Sequence, residues 1–384
     1  MKILLIAPQP FYQDRGTPIA VRLMAQTLGE QGHDVHLLVF HEGEEVIIPN
    51  VTIHRNRAIP GISDIKPGLS LKKLICDFFL FIKCIQLIRT GKFDLIHAVE
   101  EAVFMAVVVK KIFRIPYVYD MDSCMSLQLI DKFPSLHLIR RLMEWLEQRA
   151  VVNSSGVIAV CQTLEDIARK FAPDKLIARL EDITLLATET EGKDSLREGL
   201  GITGLIIMYV GNLERYQGID LLIESFKEAL VQKEALNLVI IGGNKDDILF
   251  YQQRVEQLGM QKNIFFCGQR PVDLLGYYLG QADILVSPRI QGNNTPMKIY
   301  SYLDSGKPVL ATRLPTHTQV LDETIACLVN PATMEMAAGI IELAENVTLR
   351  ATLGFNAKER VKEEYSLPAF KRKLTAFYKK LPIR

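Results

Sequence analysis

Two loops in the second half of this 384-residue chain carry the residue types that hold phosphate. One lies in SPRIQGNNTPMKIYSYLDSGKPVLAT (287–312). An apolar run ends at Ser287-Pro288, a polar loop with Asn293 and Asn294 follows, and Thr295-Pro296 opens a short helical pattern closed by Gly306. Thr295 suits an N-cap and Pro296 the first helical position. A helix amino terminus offers unpaired N–H groups and a partial positive charge, to which Lys298 adds a full one. Beyond a strand, the anion such a site favours is a phosphate, although an ordinary capped helix accounts for the same residues. The other loop lies in YVGNLERYQGIDLLIESF (209–226) and holds Gly211, Asn212, Arg215 and Gly218. Glycine at a strand end lets a ligand approach the backbone, and a guanidinium fork suits a diphosphate. This loop lacks the GxGxxG spacing of a dinucleotide fold, and the chain has no GxxxxGK[ST] phosphate loop. In the first half, Gly16-Thr17-Pro18 repeats the turn-then-helix arrangement.

Carboxylates gather at two other strand ends. YVYDMDS (117–123) contains Asp120-x-Asp122, two side chains on the same side of an extended chain, which is physically able to hold a metal. IHAVEEAVF (96–104) brings His97, Glu100 and Glu101 together. Either glutamate suits an acceptor hydroxyl. Both also suit the first turn of a following helix, through its dipole. His97 reads more simply as a hydrogen-bonded strand histidine than as a base. There is no HExxH and no GxSxG.

The elements that must position these residues follow from the periodicity. Short apolar runs fit strands at 2–8, 35–40, 51–55, 94–99, 117–120 and 156–160, then at 205–211, 236–243, 264–268, 283–288, 308–312 and 326–330. Helical patterns fit 17–31, 70–89, 101–113, 136–152 and 163–171, then 218–231, 246–258, 271–280, 296–305 and 333–345. Continuous apolar strands alternating with helices predict parallel sheets covered on both faces. The two halves share one plan. The fold class is therefore α/β with two Rossmann-like doubly wound domains, residues 1–186 and 204–348, facing a cleft. ATETEGKDSLREGLGIT (187–203) reads as the linker. Residues 349–384 read as two further helices, 349–364 and 367–380, able to cross back to the first domain. Ligands in such sheets bind beyond the carboxyl ends of the strands.

Composition narrows the function classes. Basic and acidic residues number 45 and 44, so no overall field favours nucleic acid. Six cysteines form no CxxC pair, which reads as reduced thiols in the cytoplasm. ILLIAP after Met1-Lys2 is too short for a signal-peptide core. The longest apolar run, Leu74 to Ile88, contains Asp77 and Lys83 and is not expected to span a bilayer. The stretches 71–89 and 133–149 mix basic residues with Leu, Phe and Trp145, as a helix lying on an anionic membrane does, and as a half-buried core helix also does.

Gly16-Thr17-Pro18, YVGNLERYQGIDLLIESF and ADILVSPRIQGNNTPMKIYSYLDSGKPVLAT together resemble the GT-B glycosyltransferases, and most closely their family 4. SSGVIAVCQTLEDIARKF (154–171) echoes the same family, and the resemblance covers nearly the whole chain. It implies a nucleotide-diphosphate sugar held mostly by the second domain, an acceptor held mostly by the first, and transfer with retention at the anomeric carbon. No metal or cofactor is implied, since the nucleotide sugar is a substrate; a GT-A enzyme would instead use a DxD metal. The acceptors implied are glycans or lipid-linked sugars of surface polysaccharide synthesis, on the cytoplasmic side of the membrane.

Residue by residue, the resemblance gives Gly16 and Thr17 to the diphosphate and reacting sugar, and Arg215 to the diphosphate. Gly211 and Asn212 join the donor loop, while Gly268 and Arg270 frame the nucleobase. Asp122 falls near a histidine of the family that contacts the sugar, and can stabilise developing positive charge. The family's second basic residue in the 211–218 loop is Gln217 here, so Lys298 is expected to supply that charge. Two family glutamates fall on Asn293 and Ser301, which can bond sugar and ribose hydroxyls without a charge. Asn294 and Thr295 offer N–H groups to phosphate. The expected catalytic residues are Asp122, Arg215 and Lys298. The missing glutamates leave two alternatives: a catalytically silent sugar-nucleotide-binding protein, and a nucleotide-sugar epimerase.

Overall fold

The computed structural model describes residues 1–13, 16–65, 70–124, 137–186 and 194–382. The chain divides into two compact units, Met1–Glu181 with Lys371–Arg384, and Asp182–Phe370.

The first unit contains β1 (Lys2–Ile6), α1 (Gly16–Glu30), β2 (Asp34–Val39), β3 (Val51–Arg55), α2 (Leu71–Thr90), β4 (Leu95–Val99) and α3 (Ala102–Phe113). It continues with β5 (Tyr117–Met121), α4 (His137–Asn153), β6 (Gly156–Ala159), α5 (Gln162–Phe171) and β7 (Ile177–Arg179). The sheet runs β3-β2-β1-β4-β5-β6-β7, parallel throughout. β7 is absent from the sequence reading. Its three residues are only half-buried, too short a run to show a period.

The second unit contains α6 (Leu196–Leu200), β8 (Leu205–Val210), α7 (Ile219–Gln232), β9 (Leu236–Ile241), α8 (Lys245–Gln257), β10 (Ile264–Gly268) and α9 (Leu275–Gly280). Then come β11 (Ile284–Ser287), α10 (Lys298–Asp304), β12 (Val309–Thr312), α11 (Pro315–Thr318), β13 (Cys327–Val329), α12 (Thr333–Glu345) and α13 (Val347–Glu364). α14 (Leu367–Lys380) starts in this unit and ends in the first. The sheet order is β10-β9-β8-β11-β12-β13, again all parallel. Alternate residues of β8 enter opposite cores: Ile206 and Met208 one layer, Ile207 and Tyr209 the other.

In each sheet the strand order reverses at one place, between β1 and β4 and between β8 and β11. Chain crossovers leave in opposite directions there, which opens a crevice beyond the strand ends. The loops at these two points carry Gly16, Glu100 and Glu101 in the first unit, and Gly211, Arg215 and Lys298 in the second.

Three local expectations differ from the structure. Of the stretch read as linker, 187–193 lies outside the described residues, and 196–200 is helix α6, capped by Ser195, with Leu196 in the core. The helix expected at 271–280 is a 3-10 turn at Val272–Leu274 followed by α9. α10 begins at Lys298 rather than at Pro296, and no side chain caps it. α2 buries Cys76, Leu80, Cys84 and Ile88 at a spacing of four, so part of its apolar character is core. Leu71, Leu74, Phe78 and Ile82 on the same helix are exposed. Among the described residues no helix is long and apolar enough to cross a membrane.

α13 lies directly on the turn that ends α10. A Cβ on Gly354 would stand 2.0 Å from the Gly306 carbonyl oxygen, a backbone atom that cannot swing aside. Gly354→Ala is expected to destabilise the second unit by about 1–3 kcal/mol, as overpacking does. The check is a lowered melting temperature for that unit alone.

Candidate functional site

In the second unit, β8 ends at Val210, whose N–H donates to the Tyr302 hydroxyl of α10 at 2.7 Å. Gly211 follows at φ 150, donating its N–H to the Ile241 carbonyl. A side chain there is disfavoured by the backbone angle, and its Cβ would crowd the Tyr209 hydroxyl at 3.0 Å and Lys298 Nζ at 3.2 Å. The lysine ammonium therefore lies against the bare backbone of the strand end. It sits 3.8 Å from the centre of the Tyr209 ring, a cation–π contact, and 3.4 Å from Gln217 Oε1. Burial, and then the neighbouring Arg289, pull its pKa well below the ordinary lysine value.

Arg289 completes the arrangement, and sequence reasoning missed it. Its guanidinium stacks 5.0 Å over the Tyr216 ring. Nη1 donates to the Asn294 carbonyl at 2.9 Å and to Thr316 Oγ1 at 3.1 Å. Burial lowers its pKa as well. Among the described residues neither Arg289 nor Lys298 forms an ion pair. Arg289 Nε and Thr295 Oγ1 are buried without a hydrogen-bond partner. Two cations close enough to depress one of them, next to a glycine strand end, form a site that an anion of two or more charges stabilises. The available signal was a basic residue just past a strand end. Its partners Tyr216 and Thr316, distant in sequence, made it unreadable.

Below this loop His317 is fully buried. Nδ1 lies 2.8 Å from the Thr312 carbonyl, so it carries the hydrogen, and Nε2 accepts from Ser287 Oγ at 2.9 Å. Burial pushes its pKa down to about 4, assisted by the charges of Lys298 and Arg289.

The remaining expected residues divide. Arg215 opens the 3-10 turn Arg215–Gln217 and is exposed, whereas Gln217 is buried and turned to Lys298. Asn212 is exposed, and its carbonyl accepts from Tyr209 Oη. Gly268 ends β10 at φ 65, and Arg270 is exposed, 5.9 Å from the Tyr278 ring. The Asn293 and Asn294 carbonyls are held by Gln319 on one side and by Arg289 and Thr316 on the other. These ties extend the loop past Thr295. Thr295 is therefore buried rather than an N-cap, and the helix starts three residues later. Ser301 has no exposed surface, and its hydroxyl accepts from the Leu185 N–H at 3.0 Å. It packs the unit's interior and is not a surface for ribose.

In the first unit α1 begins at Gly16, which is exposed, with Thr17 partly buried. Asp120 accepts from His97 Nε2 at 2.9 Å, while Asp122 lies just past β5. With Asp120 bonded to His97, the two aspartates are not equivalent ligands. Among the described residues no cluster of three metal-ligating side chains occurs. Glu101 pairs with Lys73 of α2; burial opposes the lysine's charge, but Glu101 and Glu100 hold its pKa up. Glu100 has φ 50 and accepts from Ser123 Oγ at 3.2 Å. Burial, then Glu101, push its pKa up to about 7, and the same two causes bring Asp77 to about 7.

Two family models match the chain. One described as Glycosyl transferases group 1 covers residues 193–360, and one described as Glycosyltransferase Family 4 covers residues 15–178. A phosphatidyl-myo-inositol mannosyltransferase of Mycolicibacterium smegmatis is 22% identical over 367 residues, 94% of this chain and 89% of that protein. An uncharacterized glycosyltransferase of Methanocaldococcus jannaschii is 22% identical over 218 residues, 55% of this chain and only 54% of that one. Among solved structures, Anabaena HepE in complex with UDP superposes with a TM-score of 0.78 at 19% identity, over 99% of this chain and 100% of that one. HepE has also been solved with UDP-glucose.

The buried histidine gives a pH dependence. Its folded pKa is below the usual value near 6.5, so below that pH the unfolded chain takes up the proton first. Stability of the second unit is full above about pH 6.5 and falls as the pH drops toward about 4, by up to about 3 kcal/mol. His317→Gln is expected to flatten this acid limb when thermal unfolding is followed from pH 7 to 4.5.

Proposed function

Because this chain belongs to family 4 of the GT-B glycosyltransferases, we propose that it moves a hexosyl group from a nucleotide-diphosphate sugar to a glycan or lipid-linked acceptor, with retention of configuration. The carrying observation is the pair Lys298 and Arg289, two cations that form no ion pair among the described residues, beside the bare strand end at Gly211. A diphosphate neutralises both. As the glycosidic bond to phosphate breaks, negative charge grows on the leaving diphosphate, and cations already in place stabilise it without reorganisation. In this reading Arg215 closes over the diphosphate from the solvent side, and its charge together with the other two makes a metal unnecessary. The leaving phosphate takes the acceptor's proton, so attack comes from the face the leaving group departs from and configuration is kept. Asp122 stabilises positive charge on the sugar. Gly16 and Thr17 approach the donor, Asn293 meets its sugar, Asn294 and Thr295 offer N–H groups to its phosphate, and Gly268 and Arg270 frame the base. HepE binds UDP, which makes uridine diphosphate the first nucleotide to test.

The acceptor class draws support from the mycobacterial relative, whose name specifies a lipid acceptor. The outer stripe of α2 supports it further. Leu71, Leu74, Phe78 and Ile82 are exposed, with Lys72 and Arg89 at the helix ends. This composition suits a peripheral helix resting on an anionic bilayer on the cytoplasmic side.

A second reading, a silent nucleotide-sugar-binding protein, is favoured by the buried Ser301 and by the neutral Asn293 and Gln217 at positions the family fills with charge. Turnover separates the readings: an active enzyme releases nucleotide diphosphate when acceptor is added, and a silent one binds donor without release.

Lys298→Ala and Arg215→Ala are each expected to weaken uridine diphosphate binding about ten- to hundredfold, as loss of a charge-assisted contact does. Uridine should bind as before. Calorimetric titration with both ligands decides, and equal loss for both overturns the phosphate role. For the membrane, the double variant Leu74→Gln with Phe78→Gln is expected to lose most co-sedimentation with vesicles rich in phosphatidylglycerol. Retention at the wild-type level overturns the α2 contact.

A further inference from the structure

β4 and β5 are tied to α14 by three buried side chains. Tyr378 Oη lies 2.7 Å from His97 Nδ1, and His97 Nε2 lies 2.9 Å from Asp120 Oδ2. A carboxylate only accepts, so in the neutral ring Nε2 carries the hydrogen and Nδ1 receives the tyrosine's. The two rings lie parallel, 6.2 Å between centres. The series continues through the backbone. The Asp120 carbonyl accepts the Glu100 N–H at 2.9 Å, and Glu100, at φ 50, accepts from Ser123 Oγ.

Packing alone does not call for this. A buried carboxylate and two buried polar rings cost stability that apolar residues of the same volume would not. Glutamate in the left-handed region adds strain, of the kind that persists where the surroundings hold it in place. Both costs fall on β4, β5 and the turn after β4, beside the place where the strand order reverses. Their common effect is to fix the turn from Asp120 to Ser123 and the backbone of Glu100.

We propose that Tyr378 and His97 are positioning residues: through Asp120 they set the turn at Asp122 and the strained Glu100 for handling the acceptor hydroxyl. The proposal rests on the glycosyl-transfer reading and extends the acceptor site to a residue of the carboxyl-terminal helix.

The test uses the full chain as wild type, Tyr378→Phe, Asp120→Asn and Asp120→Ala. Two measurements are made: amide hydrogen exchange, and transfer kinetics with donor and acceptor varied separately. Tyr378→Phe keeps the ring and removes only the hydroxyl. Exchange at Glu100 and at 120–123 is expected to quicken several-fold while the rest of α14 keeps its protection. kcat is expected to fall about tenfold with the donor KM unchanged within about twofold, the cost of a reacting group held loosely. Asp120→Asn, whose amide oxygen still accepts the Nε2 hydrogen, should keep most of the activity that Asp120→Ala loses. Unchanged exchange at those amides overturns the proposal. So does local loosening with wild-type kcat and KM, which would make the series purely structural. A wild type that binds donor but transfers nothing overturns glycosyl transfer itself and this proposal with it. That result is distinct from an active wild type with indifferent variants.

Discussion

A parallel strand can be followed by another only after the chain has travelled back to the starting edge. Every loop that leaves a strand's carboxyl end therefore emerges on one side of the sheet, and every return arrives on the other. Both sheets of this protein obey that constraint without an antiparallel exception. It is why residues as distant in sequence as Gly211, Arg289 and Lys298 share one edge, and why His97, Glu100 and Asp120 share another. The reversal of strand order then selects a place along that edge. No side chain has to be guided there individually.

Within the second unit the chemistry is set by what the loop withholds. A carboxylate beside Lys298 or Arg289 would satisfy each at the protein's own expense and leave no reason to take up an external anion. Aromatic rings and carbonyls occupy those positions instead, Tyr209 and Gln217 at the lysine, Tyr216 and Asn294 at the arginine. They orient the charges without cancelling them. His317 extends the same logic downward: kept neutral by burial and by the charges of Lys298 and Arg289, and oriented by two hydrogen bonds, it supports the loop and brings no competing positive charge.

Much of this architecture was legible in the sequence, because apolar runs of strand length and helices of ten or more residues leave a strong periodic trace. The strands at 51–55 and 264–268 and the helix at 333–345 have the bounds that periodicity gives. What was not legible depends on distant partners. Arg289 gains its role from Tyr216 and Thr316. His97, read as a satisfied strand histidine, is indeed satisfied, yet its partner Tyr378 stands 281 positions away. The Thr295 cap failed for a similar reason: side chains from α11 and beyond, Thr316 and Gln319, hold the loop carbonyls and delay the helix. Local propensity gave the correct element and the wrong first turn.

α14 belongs to two bodies at once, its first residues counted with the second unit and Lys371 onward with the first. A Cβ on Gly156 of β6 would stand 2.7 Å from the Phe377 ring, so this helix closes directly on the first sheet. During synthesis the first unit thus stays unsealed along that face until nearly the whole second unit has left the ribosome. The half made first is completed last, and between those moments its sheet is a surface that a chaperone, or another nascent chain, can reach.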